Sequence, residues 1–277
     1  MAKLKGIDVS EHNGKINWKK VKASGVDFAI IRVGFGTNLK KQDDKQFKTN
    51  IEECKKNGIP FGVYLFSYAN SVEKAKSEAE HVLRLVKGLK LDLPVFYDLE
   101  DENTTGKCSN STILAISKAF EKIIANSGYS VGFYANKYWW SNKLNNAYYD
   151  KFMRWVAQYA NACTYKGKVD MWQYSEKGKV DGITGTVDMN YKYSEISKKK
   201  AYTGALPSTN LKKGSKGEEV KKLQKFLNWA LNVKLDVDGD YGIKTENAVK
   251  EFQKKMSITV DGKFGPLTLS AAKKYKI

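Results

Sequence analysis

Histidine and cysteine are scarce in this chain of 277 residues, and the shortage narrows the chemistry open to it. His12 and His81 are its two histidines, which leaves little room for a histidine-built metal centre or a Ser-His-Asp triad. The three cysteines, Cys54, Cys108 and Cys163, form an odd set with neither CxxC nor CxxH spacing. That pattern indicates no disulfide framework and no zinc site, and free thiols in a protein made in the cytosol are expected. No run of eighteen apolar residues occurs, so neither a spanning helix nor stable membrane insertion is expected. The first residues, Met1-Ala-Lys-Leu-Lys-Gly6, lead straight into Ile7-Asp8-Val9 without a hydrophobic h-region. A secretory signal is therefore not expected.

What the chain has in excess is positive charge. Its 48 Lys and Arg against 30 Asp and Glu give a net charge of +18, which favours an anionic partner. Nucleic acid, a bacterial wall or a membrane surface would satisfy that charge. The lysines run through the whole chain in pairs and triples, and no nucleic-acid motif accompanies them. Anionic wall polymers fit the distribution; a nucleic-acid partner is not expected.

Short β-branched segments closed by glycine or polar residues read as strands at 4–9, 26–34, 61–66, 93–100, 131–135, 154–158, 170–174 and 186–189. Among the earlier strands the apolar spacing turns helical. A short piece covers 17–24, and a helix over 43–57 carries Phe47, Ile51 and Cys54 and stops at Gly58. Ser71 opens a longer one with Ala75, Ala79, Val82, Leu83 and Val86 in one stripe; residues 111–126 follow with Ile116, Phe120, Ile123 and Ile124. Strand and helix alternate to residue 135, which implies a parallel sheet. Beyond it the strands crowd together. The prediction is an α/β fold, an irregular (β/α) barrel of eight strands with its last crossovers eroded. An open doubly wound sheet is the alternative, but the glycine-rich phosphate loop that should follow its first strand is missing.

Leu93-Pro94-Val95-Phe96-Tyr97-Asp98-Leu99-Glu100 reads as a buried strand ending in two carboxylates. On a strand Asp98 and Glu100 share a face, with Cα atoms about 6.6 Å apart. Two acids on one buried face resist ionising together, which leaves a proton donor beside an anion. Glycoside hydrolysis uses such a pair.

Residues 198–210 break the pattern with lysines followed by small and turn-forming residues, and read as a linker. Past it lies an internal repeat, Asp238-Gly-Asp-Tyr-Gly242-Ile-Lys-Thr245 and Asp261-Gly-Lys-Phe-Gly265-Pro-Leu-Thr268, each leading into helix-like sequence. With the amphipathic stretches at Val220, Leu223, Leu227 and at Ala248, Val249, Phe252, residues 211–277 predict a small three-helix domain. The run Asp236-x-Asp238-x-Asp240 is not a calcium loop. Its sixth position holds Tyr241 in place of glycine, and its twelfth holds Asn247 in place of glutamate.

Asp8 ends the first strand, Asp98 and Glu100 the fourth, and Asp188 lies on the last. In a (β/α) barrel the C-terminal ends of the strands gather at one mouth, where acids distant in sequence can meet. Gly6-Ile-Asp8-Val-Ser10, Phe28-Ala-Ile-Ile-Arg32, Gly62-Val-Tyr64-Leu-Phe66, Phe96-Tyr-Asp98-Leu-Glu100, Trp155-Val-Ala-Gln158-Tyr159, Trp172-Gln173-Tyr and Val187-Asp188 together resemble the glycoside hydrolase family 25 lysozymes over residues 4 to about 193, which implies a catalytic domain over 1–197. Residues 211–277 resemble the type-1 peptidoglycan-binding domain. The joint layout is similar to that of phage endolysins, which reach the wall from the host cytoplasm once the membrane is permeabilised, or of bacterial autolysins.

The resemblance implies an N-acetylmuramidase that cuts the β-1,4 bond following N-acetylmuramic acid in peptidoglycan, with no metal and no organic cofactor. It implies Glu100 as general acid. Asp98 would act either as nucleophile or by orienting the substrate's 2-acetamido group, and both routes retain configuration. Asp8 and Asp188 would stabilise the oxocarbenium-like state and position the other two. Tyr64, Tyr134 and Trp172 are candidates for contact with the sugars; Arg32, on a buried strand, would pair with one of the acids or touch substrate. A chitinase-like glycosidase is the rival enzyme, although its motif places a further acid where this chain has Phe96. A wall-binding protein without catalysis is the rival of another class, opposed by the presence of all four acids.

Overall fold

The structure, a computed structural model, describes residues 3–193, 202–231, 233–256 and 258–275. The chain divides into two compact units, residues 1–197 and 198–277.

In the first unit eight strands close into a barrel in chain order. They are β1 (Leu4–Val9), β2 (Phe28–Phe35), β3 (Phe61–Phe66), β4 (Val95–Asp98), β5 (Val131–Asn136), β6 (Met153–Ala157), β7 (Met171–Gly178) and β8 (Val187–Lys192). Neighbours from β1 to β7 are parallel. The last strand, β8, runs antiparallel to both β7 and β1. The sheet thus closes as the sequence predicts, with one reversal. Helices α1 (Trp18–Ala23), α2 (Phe47–Lys56), α3 (Val72–Val86) and α4 (Asn110–Asn126) supply the early crossovers. The β5–β6 crossover shrinks to the six-residue α5 (Lys137–Asn142) and a 3₁₀ turn. Between β6, β7 and β8 no helix forms among the described residues.

Local chemistry explains the element ends. The Ser71 side chain accepts from the Lys74 amide and starts α3, whose Ala75, Ala79, Val82 and Val86 are buried against the sheet. Ser109 does the same for α4, so that helix starts at Asn110, just ahead of the expected 111. On β4, Tyr97 points outward and stacks on Phe120 of α4 with ring centroids 3.8 Å apart.

The inward side chains belong to a separate cluster of Phe28, Ile30, Phe96, Tyr134, Trp155 and Met171. Glycines make room for the large rings. A Cβ on Gly6 would lie 2.2 Å from the Phe28 ring, and one on Gly132 would lie 2.5 Å from Phe96. The barrel is therefore filled at its lower end, and only its upper mouth is left for chemistry.

The second unit holds three helices, α6 (Glu218–Leu231), α7 (Ile243–Lys255) and α8 (Pro266–Tyr275), around Leu223, Phe226, Leu227, Val249 and Phe252. Its internal repeat is a repeat of structure. Gln224 of α6 donates from Nε2 to Asp238, the Asp240 carbonyl and Thr245, while its Oε1 accepts from the Gly239 amide. Gln253 of α7 makes the equivalent bonds to Asp261, the Lys263 carbonyl, Thr268 and Gly262. Each loop is thus wound around one buried glutamine. Of the expected linker, 198–201 lie outside the described residues. Tyr202 and Leu206 pack on this unit's core, so that part is built into the second unit and is no spacer.

Candidate active site

The four acids expected from the sequence meet at the barrel mouth. Asp8 and Asp188 stand directly opposite each other in the β1–β8 register. Asp98 ends β4 and feels the charges of both Glu100 and Asp8. Two details differ from expectation. Glu100 lies two residues past the end of β4, because the strand pairing stops at Asp98. Asp188 is the second residue of the reversed β8, so it reaches the mouth from the start of its strand, whereas Asp98 reaches it from the end.

Burial raises all four. Asp8 is pushed well above the ordinary carboxylate range, first by burial and then by the charge of Asp188. Asp188 is pushed up to about 6, mainly by burial. For Asp98 burial comes first and the charge of Glu100 second. Glu100 is raised by burial, opposed by a bond from the Asn136 amide to its Oε2 at 3.0 Å and by the Tyr134 hydroxyl. The mouth therefore holds protons that exposed carboxyls would have lost at the same pH.

Asp8 is held from two sides. Gln173 Nε2 donates to its Oδ1 and Oδ2 at 2.9 and 3.2 Å, and Asn190 Nδ2 donates to Oδ1 at 2.7 Å. Asn190 is oriented in turn by the Trp155 indole, which donates to its Oδ1 at 2.8 Å. Asp98 stands in contrast. It is 4% exposed, yet its Oδ1 receives no hydrogen bond from any described group of the protein.

Tyr64 and Tyr134 are where the sequence places them, on inward positions beside Trp155. Both hydroxyls lie in the field of the acids. Trp172 does not face the acids. Its neighbours Met171 and Gln173 point inward, so strand alternation turns it to the outer face, where its indole donates to the Gln158 carbonyl and its ring meets Tyr174 and Tyr191. Arg32 bonds to acids outside the four, Asp44 at 2.8 Å and Glu11 at 3.1 Å, and so ties the first two strand-end loops together. Through Nε and Nη2 it braces the rim.

Sequence reasoning assigned no role to Gln173, Asn190, Asn136 or Tyr159. The period-two rule could have found Asn190, which follows Asp188 on the same face, and Gln173 is a polar residue between two aromatic ones. Tyr159 closes the Trp155-Val-Ala-Gln158-Tyr159 motif but was given no role; it stands 52% exposed just past β6 and donates its hydroxyl to Gln173 Oε1 at 3.1 Å. Among the described residues no cluster of His, Cys, Asp and Glu could hold a metal ion.

The profile of "Glycosyl hydrolases family 25" matches residues 7–183, and that of "Putative peptidoglycan binding domain" matches residues 216–272. An autolytic lysozyme of Clostridium acetobutylicum is 32% identical over 97% of this chain and 78% of its own length. Among solved structures, the bacterial lysozyme of Streptomyces coelicolor superposes with a TM-score of 0.62 at 27% identity, over 70% of this chain and 94% of that one. The modular autolysin LytC of Streptococcus pneumoniae, solved with a synthetic peptidoglycan ligand, gives 0.61 at 32% identity over 69% of this chain. This chain spans 47% of that larger autolysin.

Proposed function

Because this chain belongs to the glycosyl hydrolases family 25 and hydrolyses peptidoglycan as a glycoside hydrolase, we propose that it cuts the β-1,4 bond following N-acetylmuramic acid with retention of configuration. In this reading Glu100 is the general acid and Asp98 directs the substrate's own 2-acetamido group.

The observation that carries the reading is the unmatched Asp98 Oδ1, buried and without a donor among the described residues. An acceptor left so is costly, and an acetamido N–H would supply the missing donor. Held there, the acetamido oxygen attacks the anomeric carbon as the glycosidic C–O bond breaks, and the proton of Glu100 passes to the leaving oxygen. In the second step Glu100 takes a proton from water as that water adds to the same carbon and the ring formed by the acetamido group opens. Two inversions restore the original configuration. The burial that raises Glu100 keeps the donor neutral for the first step. Asp8 and Asp188 add negative potential where positive charge develops.

Tyr68, Tyr138 and Tyr159 follow β3, β5 and β6 and are exposed, which makes them candidates for stacking on sugars beyond the cleaved bond. The second unit anchors the enzyme to the wall. Residues 198–277 contain 18 Lys and 8 acidic residues, so anionic wall polymers add to its hold.

Glu100→Gln is expected to lower lysis by about 10²- to 10⁴-fold while the variant still sediments with cell walls. Mass spectrometry of the wild-type products should show muramic acid at the new reducing ends. Reducing-end glucosamine would overturn the bond assignment, and clearing of chitin in preference to walls would overturn the substrate.

A further inference from the structure

Glu100 lies beyond the strand that delivers it, so something other than the sheet must hold its carboxyl. Pairing between β4 and β5 ends at Asp98 and Tyr134, with one further bond from the Leu99 amide to the Tyr134 carbonyl at 3.3 Å. The next residues form a small loop closed on itself. Asp101 Oδ1 accepts from the Thr104 amide and hydroxyl at 2.8 and 2.7 Å, and the Gly106 amide donates to the Asp101 carbonyl at 2.8 Å. Glu100 opens this loop, so where the loop docks decides where the carboxyl points.

The loop docks on α5. The indole of Trp139, a fully buried residue, donates from Nε1 to Glu102 Oε1, and Lys143 Nζ donates to the Gly106 carbonyl at 3.0 Å. The approach is close: a Cβ on Gly106 would lie 2.9 Å from Glu102 Oε2 and 3.2 Å from the Trp139 ring. At the start of α5 the Asn136 side chain accepts from the Trp139 amide at 3.0 Å, while the Asn136 amide donates to Glu100 Oε2 at 3.0 Å. These bonds close a ring. It runs from Glu100 to Asn136, from Asn136 to Trp139, from Trp139 to Glu102, and back along the chain to Glu100.

We propose that Trp139 is a positioning residue for the general acid, its indole bond to Glu102 keeping Glu100 seated on the Asn136 amide. This rests on Glu100 being the general acid. An N–H on Oε2 favours the neutral form in which Oε2 is the carbonyl oxygen and Oε1 bears the proton, because the carbonyl oxygen is the better acceptor. The amide thus selects the oxygen that gives its proton to the leaving group. Releasing the loop frees the carboxyl to turn, and the proton is then offered in more than one direction. A buried indole N–H deprived of its acceptor carries a desolvation cost, which keeps the Glu102 bond closed.

The test is steady-state hydrolysis of soluble peptidoglycan fragments by the full chain. Each variant is measured at its own pH optimum, because Glu102 also acts on Glu100 through its charge. Trp139→Phe is expected to lower kcat by about 10- to 100-fold with KM unchanged within about twofold, since what is lost is alignment and not a contact with substrate. Glu102→Ala, at an exposed residue, should cost the same. The double variant should be no worse than either single one. Glu102→Gln keeps an acceptor for the indole and should recover most of the loss, which separates the bond from the charge.

Unchanged kcat in both single variants, losses that multiply in the double variant, or Glu102→Gln as slow as Glu102→Ala would overturn the proposal. A rise in KM at constant kcat would do the same, by moving the role of the loop to substrate binding. If Trp139→Phe does not fold, the comparison of Glu102→Ala with Glu102→Gln decides alone. The two levels fail differently. Lysis retained by Glu100→Gln refutes the general acid, whereas an inactive Glu100→Gln with any of these results refutes the positioning alone.

Discussion

Asp98→Asn separates the two roles open to Asp98 by magnitude. The substitution keeps the shape and leaves an amide oxygen able to accept a bond where Oδ1 now stands unmatched. If Asp98 directs an acetamido group, what is lost is the charge on that acceptor. A hydrogen bond to a charged group contributes about 1.5–3 kcal/mol, so the rate should fall by about 10- to 150-fold. If Asp98 instead attacks the anomeric carbon, an amide cannot form the glycosyl–enzyme bond, and the fall should exceed about 10⁴-fold. The pH profile supplies a second reading. Glu100 and Asp98 repel when both are ionised, and that repulsion is mutual. Removing one charge makes Glu100 easier to ionise, so the alkaline limb should move to lower pH. The assay is the initial rate of turbidity loss of purified walls between pH 4 and pH 9, with thermal unfolding to confirm the fold. Activity within about threefold of wild type and an unmoved limb would refute the reasoning.

Glu78 of α3 is fully buried and accepts from the Ser67 and Tyr97 hydroxyls and the Tyr68 amide, behind the strand ends that carry the site. Glu78→Ala would strand three donors and should cost about 3–5 kcal/mol in urea unfolding; a cost below about 1 kcal/mol would show that water replaces the carboxylate. Burial raises the pKa of Glu78 above its ordinary 4.5. Its stability contribution is therefore fully present below that value and is lost as pH climbs through the folded pKa, so Glu78→Gln should flatten stability over that window. The second unit, produced as residues 198–277, should bind walls without clearing them and should release as salt is raised. Binding that ignores salt would leave its excess of lysine without a role at the wall.

Much of the barrel was legible because hydrophobic spacing is a local property. Eight short β-branched segments, helices with one apolar stripe, Ser71 as a cap and Gly58 as a stop all follow from which side chains can be buried at a given period. The proximity of Asp98 and Glu100 was equally local, and the paired Asp-Gly-x-aromatic-Gly loops announced a duplicated unit. The convergence of Asp8 and Asp188 on that pair needed the closed ring as well.

Tertiary structure decided the rest. Alternation reads the same in both directions along a strand, so nothing in Val187–Lys192 revealed that β8 is reversed and presents Asp188 from its beginning. Trp172 and Gln173 sit side by side, and a strand offset by one residue would exchange their faces. Pairing with β6 and β8 put the glutamine on Asp8 and the tryptophan outside. The partners of Arg32 come from two loops 33 residues apart in sequence, Glu11 and Asp44. The hydrogen bonds from Tyr134 through Gln173 to Asp8 join β5, β7 and β1. Such contacts depend on which strand lies beside which and in what register, and those are settled only when the sheet closes on itself.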